Sequence, residues 1–188
     1  LEAFMGRRDE FSAMKILLLL VPRHPQRFKS VRAIFNQAGV RIQARSELHD
    51  AGDVSPKTEV LLGDSMGEMS FYCGLADLAV MGGSFLNYGC QNLIEPCAQG
   101  VPVIVGPSIF NFKEAAENAL TQGAAKSAGN LDEALQMALE MLSDSAMLAL
   151  LSNNAKRFAL AYAGATRSIM LHLDKLWKKK TSGAFPMS

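Results

Sequence analysis

Long apolar runs are missing from this chain. The longest, Ile16 to Val21, stops at Pro22, far short of the roughly 20 residues that a membrane-spanning helix requires. No signal peptide opens the sequence. Leu1 stands where an initiator Met would, which is expected of a piece cut from something longer. Excess charge of one sign is missing too. The 19 Lys and Arg against 18 Asp and Glu leave a formal charge of +1, whereas nucleic-acid binding usually needs a strong basic excess. Cysteine is scarce: Cys73, Cys90 and Cys97 are odd in number and have no C-x-x-C spacing. Neither a disulfide framework nor a zinc knuckle is therefore indicated, and the three are expected to be free thiols packed as small hydrophobes in a reducing cytosol. Nothing repeats at solenoid periods. What is present, 188 residues at 49% hydrophobic and 20% charged, suits one folded domain with a real core.

Short apolar runs alternate with helical periodicity. Leu1 to Ser12 reads as the end of a helix. Lys15 to Val21 reads as a strand buried on both faces. Phe28, Val31, Ile34, Phe35 and Ala38 follow at helical spacing, closed by Gly39. Further strands are predicted at Val40 to Arg45, Thr58 to Gly63, Leu78 to Met81 and Val101 to Val105, with an edge strand at Ala124 to Ser127. Helices are predicted near Gly67 to Gly74, Leu93 to Gln99 and Phe112 to Gln122. Beyond Asn130 the chain reads as all helix. One stripe is Leu131, Leu135, Ala138, Leu139 and Leu142, opened by Asn130 and Glu133 as a capping box. A second is Ile169, Leu173, Leu176 and Trp177, with a break expected at Gly164. This pattern predicts an α/β fold with a Rossmann-like, doubly wound parallel sheet. Ligands in such folds bind at the carboxyl ends of the strands, so the residues after each apolar run are the candidates.

Three such loops hold chemistry. After the first run, Pro22-Arg23-His24-Pro25 is a stiff turn offering a guanidinium fork suited to phosphate or carboxylate. His24 has no second His or Cys near it, so no metal site is indicated. After the third run, Gly63-Asp64-Ser65-Met66-Gly67-Glu68 reads either as an S-x-x-E capping box or as backbone and a flat apolar surface for a base. After the fourth, Gly82 to Pro96 combines Gly83, Ser84, Gly89 and Gln91, a loop that lets backbone approach a ligand, with Asn92, Leu93, Ile94 and Glu95. Asn92 is expected to start a helix whose free amides favour phosphate. Glu95 could accept from two ribose hydroxyls. Asn92 with Glu95, and Asn111 with Glu114, also fit N-x-x-E capping pairs.

Together, LLLLVPRHPQRF, VLLGDSMGEM, YCGLADLAVMGGS, NLIEP and VPVIVGPSIFNFKE resemble, in order and spacing, the bacterial Kdo (3-deoxy-D-manno-octulosonic acid) transferases. The resemblance covers roughly Leu17 to Glu114. It implies the carboxyl-terminal half of a GT-B glycosyltransferase, with extra carboxyl-terminal helices. It also implies CMP contacts at Pro22 and Arg23, at Met66, Gly67 and Glu68, and at Asn92, Leu93, Ile94 and Glu95, with Gly83, Ser84, Gly89 and Gln91 supporting the phosphate loop. Where the family usually reads G-G-H-N-P-L-E-P, this chain has Gly89-Cys90-Gln91-Asn92-Leu93-Ile94-Glu95-Pro96, and Ser108 stands where a His is common. A Gln donates a hydrogen bond but carries no positive charge.

On this resemblance the donor is CMP-Kdo and the acceptor a lipid A precursor held by an amino-terminal domain absent here. That domain would also carry the general base and the membrane contact, at the cytoplasmic face of the inner membrane. The fragment itself is expected to be soluble, and no catalytic residue, metal, cofactor or nucleic acid is expected in it. The expected layout is a donor-nucleotide domain over 1–163, a terminal helix over 164–180 and a flexible tail over 181–188. The alternatives are a GT-B domain using a UDP-sugar, of the GlcNAc transferase or epimerase type, and a non-enzymatic nucleotide-binding domain.

Overall fold

The chain is represented by a computed structural model that describes residues 1–48 and 54–182. Two short helices, α1 (Glu2–Met5) and α2 (Arg8–Ala13), precede β1 (Leu18–Leu20). Then come α3 (Phe28–Gln37), β2 (Ile42–Ala44), β3 (Val60–Leu62), α4 (Met69–Leu75) and β4 (Ala79–Val80). The remainder is α5 (Ile94–Ala98), β5 (Val103–Val105), α6 (Lys113–Thr121), β6 (Ala125–Ser127), α7 (Leu131–Ser143) and α8 (Ser145–Ser182). Every strand pairing is parallel, in the orders β1-β3-β2 and β4-β5-β6. The expected parallel α/β architecture is present, as two three-stranded halves.

The central strands are the driest part of each half. Val60 and Val103 are fully enclosed, and Leu62, Ile104 and Val105 are at most 1% exposed, as strands covered on both faces should be. Helix α7 packs on both halves. Its Leu135 and Leu139 join Phe4, Phe11, Phe35 and Val60 over the first, while Ala134, Ala138 and Met141 join Ile104 and Val80 over the second. On the opposite face of the second half, α5, α6 and the start of α8 enclose Leu93, Cys97, Val105 and Phe158.

The strands are shorter than the apolar runs because helix-closing turns consume their beginnings. At the end of α2, Lys15 N donates to Ser12 O and Ile16 N to Phe11 O. This is a Schellman closure, with Lys15 at φ 56. The same pair of bonds closes α3 through Gly39 and Val40, α5 through Gly100 and Val101, and α6 through Gly123 and Ala124. Glycine takes the left-handed position in those three, and only Lys15 carries a Cβ there, at a cost of about 1 kcal/mol.

Two expectations change towards the carboxyl terminus. No break occurs at Gly164, since α8 runs continuously from Ser145 to Ser182; an interior glycine weakens a helix by about 1 kcal/mol without ending it. The break lies at Asp144 instead, whose Oδ1 accepts from Ala146 N and Met147 N at 3.0 and 2.9 Å. Thr181 and Ser182 are helical, so of the expected tail over 181–188 only 183–188 lie outside the described residues. The Asn130 cap is present, its Oδ1 accepting from Glu133 N at 2.9 Å, while Glu133 reaches back to Gly129 N rather than to Asn130 N. Leu173, Leu176 and Trp177 are exposed. Among the described residues no single helix is long and apolar enough to cross a membrane.

The amino ends of β2 and β3 are tied to α2 by charge. Arg8 donates to Glu59 through Nε and Nη2 at 2.6 and 2.9 Å, and Arg41 N donates to the same carboxylate at 3.0 Å. These bonds, the one from Arg8 foremost, pull the Glu59 carboxyl from 4.5 to about 2 against the opposing effect of burial. A carboxyl lowered by folding stabilises fully above its unfolded value, and that contribution is lost as pH falls from about 4.5 towards about 2. With solvent screening the contribution is about 1–2 kcal/mol. Glu59→Gln should lower stability at pH 7 by that order and flatten the acid limb of the stability curve, as read by urea unfolding at successive pH values. The cap at Lys15 gives an opposite expectation: Lys15→Gly should raise the urea midpoint, by the equivalent of about 0.5–1 kcal/mol.

Candidate functional site

All the sequence-predicted residues follow the carboxyl ends of strands, and packing ties the first two loops together. Tyr72 of α4 is 2% exposed. A Cβ placed on Gly63, at the end of β3, would stand 2.9 Å from the Tyr72 ring and 2.9 Å from Val21. Tyr72 is thus wedged between the exits of β1 and β3. Its hydroxyl is hydrogen-bonded to the Ser65 hydroxyl, and Ser65 in turn donates to the Glu68 carboxylate. The S-x-x-E capping box is therefore not formed: Ser65 binds the Glu68 side chain, and α4 begins only at Met69 with no side-chain cap. Glu68 also accepts from Arg45 Nη2 at 3.3 Å, and the Arg45 guanidinium lies 5.5 Å from the Phe71 ring centroid. The three polar partners of Glu68, Ser65, Arg45 and Tyr72, hold it in one orientation beside Met66, which is 65% exposed, and Gly67, at φ 78.

Pro22 is half-buried, while Arg23 and His24 stand in solvent at the turn that leads into α3. Among the described residues no carboxylate or carbonyl engages Arg23, and no cluster of three His, Cys, Asp or Glu converges anywhere.

The third loop is fixed from beneath by Ser84, which is fully buried. Its Oγ donates to Met81 O at 2.5 Å and accepts from Gly106 N at 2.6 Å, and its carbonyl accepts from Ser108 N at 2.9 Å. These bonds sew the exit of β4 to the exit of β5. Gly89, at φ 78, donates its N–H to Ser108 Oγ at 3.2 Å, and Asn111 Nδ2 donates to Tyr88 O at 3.0 Å. Gln91 lies over Gly83, its Nε2 only 2.1 Å from where a Gly83 Cβ would be. Ser84 therefore supports the loop without facing outward, whereas Gln91 is partly exposed.

At the end of the loop the expected helix start shifts by one residue, from Leu93 to Ile94. Helix α5 is the single turn Ile94–Ala98, and Asn92 Oδ1 accepts from Ile94 N at 3.2 Å instead of capping at Glu95. Likewise Asn111 does not cap with Glu114, because α6 begins at Lys113 and the Asn111 amide holds Tyr88. The Leu93 side chain is buried in the core, so only its backbone could meet a ligand. Glu95 is half-buried and close enough to α4 that its charge helps raise the Cys73 thiol, an effect second to burial. Burial also lifts Cys90 to about 11 and Cys97 to about 12. The three thiols are free and buried, as expected.

Arg45, Tyr72 and Asn111 are the contributors that sequence reasoning missed. Arg45 directly follows β2, so the strand-end rule could have found it. A concavity of about 580 Å³ lies at the other end of the strands, among Arg8, Ile16, Leu17, Arg41, Lys57 and Glu59, and includes none of the predicted residues.

No model of a known protein family matches the chain. Individual proteins do. The chain is 49% identical, over 84% of its length, to a 3-deoxy-D-manno-octulosonic acid transferase of Bordetella pertussis, and 37% identical, over 69%, to that of Haemophilus influenzae. It spans 36% and 30% of those two proteins, about a third of each. Its fold matches a solved carboxyl-terminal CMP-Kdo binding domain of WaaA from Acinetobacter baumannii with a TM-score of 0.75 at 28% identity, covering 84% of this chain and 79% of that one. The class that the fold defines is a Rossmann-like, parallel α/β domain similar to that carboxyl-terminal domain. Within that class the chain resembles the Kdo transferases.

Two glycines distinguish support from contact. Gly106→Ala would drive a Cβ to 2.5 Å from Ser84 O, and a clash with backbone should cost about 2–3 kcal/mol. Gly83→Ala meets only the tip of Gln91 and should unfold within about 1 kcal/mol of the parent, with Gln91 displaced. Thermal unfolding of both variants, with the Gln91 side-chain amide followed by NMR, checks this.

Proposed function

We propose that this chain is the donor-binding domain of a glycosyltransferase that moves Kdo from CMP-Kdo to a lipid A precursor in lipopolysaccharide synthesis. The observation that carries the reading is the fold match to a CMP-Kdo binding domain, backed by 49% identity to a Kdo transferase. In the reaction, an acceptor hydroxyl forms a bond to the anomeric carbon of Kdo. The bond from that carbon to the phosphate oxygen breaks, and CMP departs with the electron pair. Stabilising the departing phosphate and removing the hydroxyl proton both help.

This chain supplies the first kind of help. Arg23, exposed beside half-buried Pro22, balances the phosphate charge, and Gln91 donates a neutral hydrogen bond. Asn92 and the backbone amides of Leu93 and Ile94 meet phosphate, although Ile94 N must leave Asn92 Oδ1 to do so. Glu95 accepts from the ribose hydroxyls. Met66, Gly67 and Glu68 line the cytosine, with Arg45, Ser65 and Tyr72 holding Glu68 in place. Gly83, Ser84 and Gly89 shape the phosphate loop from below. The general base, the acceptor site and the contact with the cytoplasmic face of the inner membrane belong to an amino-terminal domain outside this chain. The transfer so described draws on no metal or cofactor.

The isolated chain should bind CMP weakly and transfer nothing. Calorimetric titration should give tighter binding for CMP than for UMP or UDP. Glu95→Gln should weaken CMP binding by about tenfold, the worth of hydrogen bonds to a charged group. Equal binding of the three nucleotides, or transfer by this chain alone, would overturn the assignment.

A further inference from the structure

The concavity at the amino ends of the strands has no part in donor binding, yet charge is concentrated there. Arg8, Lys15, Arg41 and Lys57 line it, and Glu59 is the one carboxylate among its described lining residues. Four cations against one anion leave +3, in a chain whose 188 residues total only +1. Its volume of about 580 Å³ falls in the range of small-molecule sites.

The charges divide into two sets. Arg8, Arg41 and Glu59 serve one another. The carboxylate takes two bonds from Arg8, one from Arg41 N, and an ion pair with Arg41 Nη2 at 3.3 Å. The two lysines are different. Among the described residues neither Lys15 nor Lys57 meets a carboxylate, and both are exposed. Arg41 Nη1 likewise has no acceptor among the described residues.

Both lysines rise from fixed backbone. The turn that carries Lys57 is pinned by Thr58 N donating to Ser55 O, by Ser55 N and Thr58 Oγ1 donating to Gln43 Oε1, and by Arg41 Nε donating to Lys57 O. Lys15 is pinned by the Schellman closure of α2. It is the one described residue other than glycine with a positive φ, and glycine fills that position in the three matching closures. A lysine within the last turn of α2 would meet the helix dipole equally well, without the left-handed cost of about 1 kcal/mol. Strain retained where glycine would relieve it points to a task for the side chain. Apolar groups complete the lining: Phe11 and Ile16, together with Leu17, which is 40% exposed.

We propose that this concavity binds a phosphate monoester with a small apolar body. Lys15, Lys57 and Arg41 hold the phosphate, and Phe11, Ile16 and Leu17 meet the body. Such a phosphate carries about −1.5 to −2 charges at neutral pH, closer to the +3 of the lining than a carboxylate comes. Ammonium and guanidinium donors both suit its oxygens. The site lies at the opposite strand ends from Arg23, Glu68 and Glu95, and shares no residue with the donor loops.

NMR titration of the 188-residue chain with phenyl phosphate tests this. The amides of Ile16, Leu17 and Lys57 should shift together along one saturable curve. Inorganic phosphate, which lacks the body, should bind about tenfold more weakly, and so should benzoate, which lacks the second charge. Lys57→Gln and Lys15→Gly should each weaken phenyl phosphate by about tenfold. Lys126→Gln, on the outer edge of the second half, should leave it unchanged. Lys15→Gly should also raise the urea midpoint, so loss of the ligand in that variant is not loss of the fold. A lipid headgroup offers the same chemistry as a soluble ester, and cosedimentation separates the two sources. Binding to vesicles containing phosphatidic acid but not to plain phosphatidylcholine, lost in both lysine variants, assigns the ester to a lipid; its absence assigns a soluble molecule. The proposal is overturned if the three amides stay still or shift without saturating, if benzoate binds as tightly as phenyl phosphate, or if both lysine variants bind like the parent. Shifts confined to Gln91 to Glu95 would overturn it too. None of these outcomes depends on CMP, so failure here leaves the donor-domain reading standing.

Discussion

Every strand in this domain runs parallel to its neighbours, so after each one the chain must travel back along the outside before it can enter the sheet again. That single constraint sorts the molecule into two ends. At the amino ends the chain arrives from helices, and four of these arrivals use the same pair of closing bonds, through Lys15, Gly39, Gly100 and Gly123. There the side chains serve the fold, as in the charge network of Arg8, Glu59 and Arg41. At the carboxyl ends the chain leaves the sheet without being committed to a helix, and the loops there hold Arg23, Met66 to Glu68 and Gln91 to Leu93, with Ile94 and Glu95 opening α5.

The carboxyl-terminal loops are unequal in stiffness. Ser84 binds three backbone groups drawn from the exits of β4 and β5, leaving that part of the loop little freedom. Tyr72 does similar work between β1 and β3, and it ties the Glu68 carboxylate through Ser65. Against these fixed parts, Arg23, Gln91 and Met66 lie at the surface or partly so. Orientation is thus set by residues below the surface, and contact is left to residues above it. A site organised in this way loses less entropy when it binds.

Much of the fold was legible because apolar runs broken by helical periodicity leave few options for a parallel sheet. The strand ends were found, and so was the Asn130 cap, where a helix begins at the very next residue. The strand beginnings were not legible, because the closing turns ahead of them depend on hydrogen bonds that composition does not report. The same N-x-x-E spacing misled at Asn92 and Asn111, where the helices begin two residues later and the side chains bind Ile94 N and Tyr88 O. Gly164 looked like a break, but the start of α8 is set by Asp144. Tyr72 was missed because its place in a helix resembles any core aromatic. Its role lies in what its hydroxyl reaches, which is a tertiary fact.

The three cysteines have a practical consequence. Thiolates do the reacting in alkylation and disulfide exchange, and burial holds Cys90 and Cys97 near 11 and 12 while Cys73 is raised as well. All three are also buried, so at neutral pH the folded domain should react slowly with maleimides and mild oxidants. A single cysteine introduced at an exposed position such as Met66 would take a fluorophore or spin label alone, with the native three left in place. The same three thiols become reactive when the core opens, so labelling rate reads unfolding without any added probe.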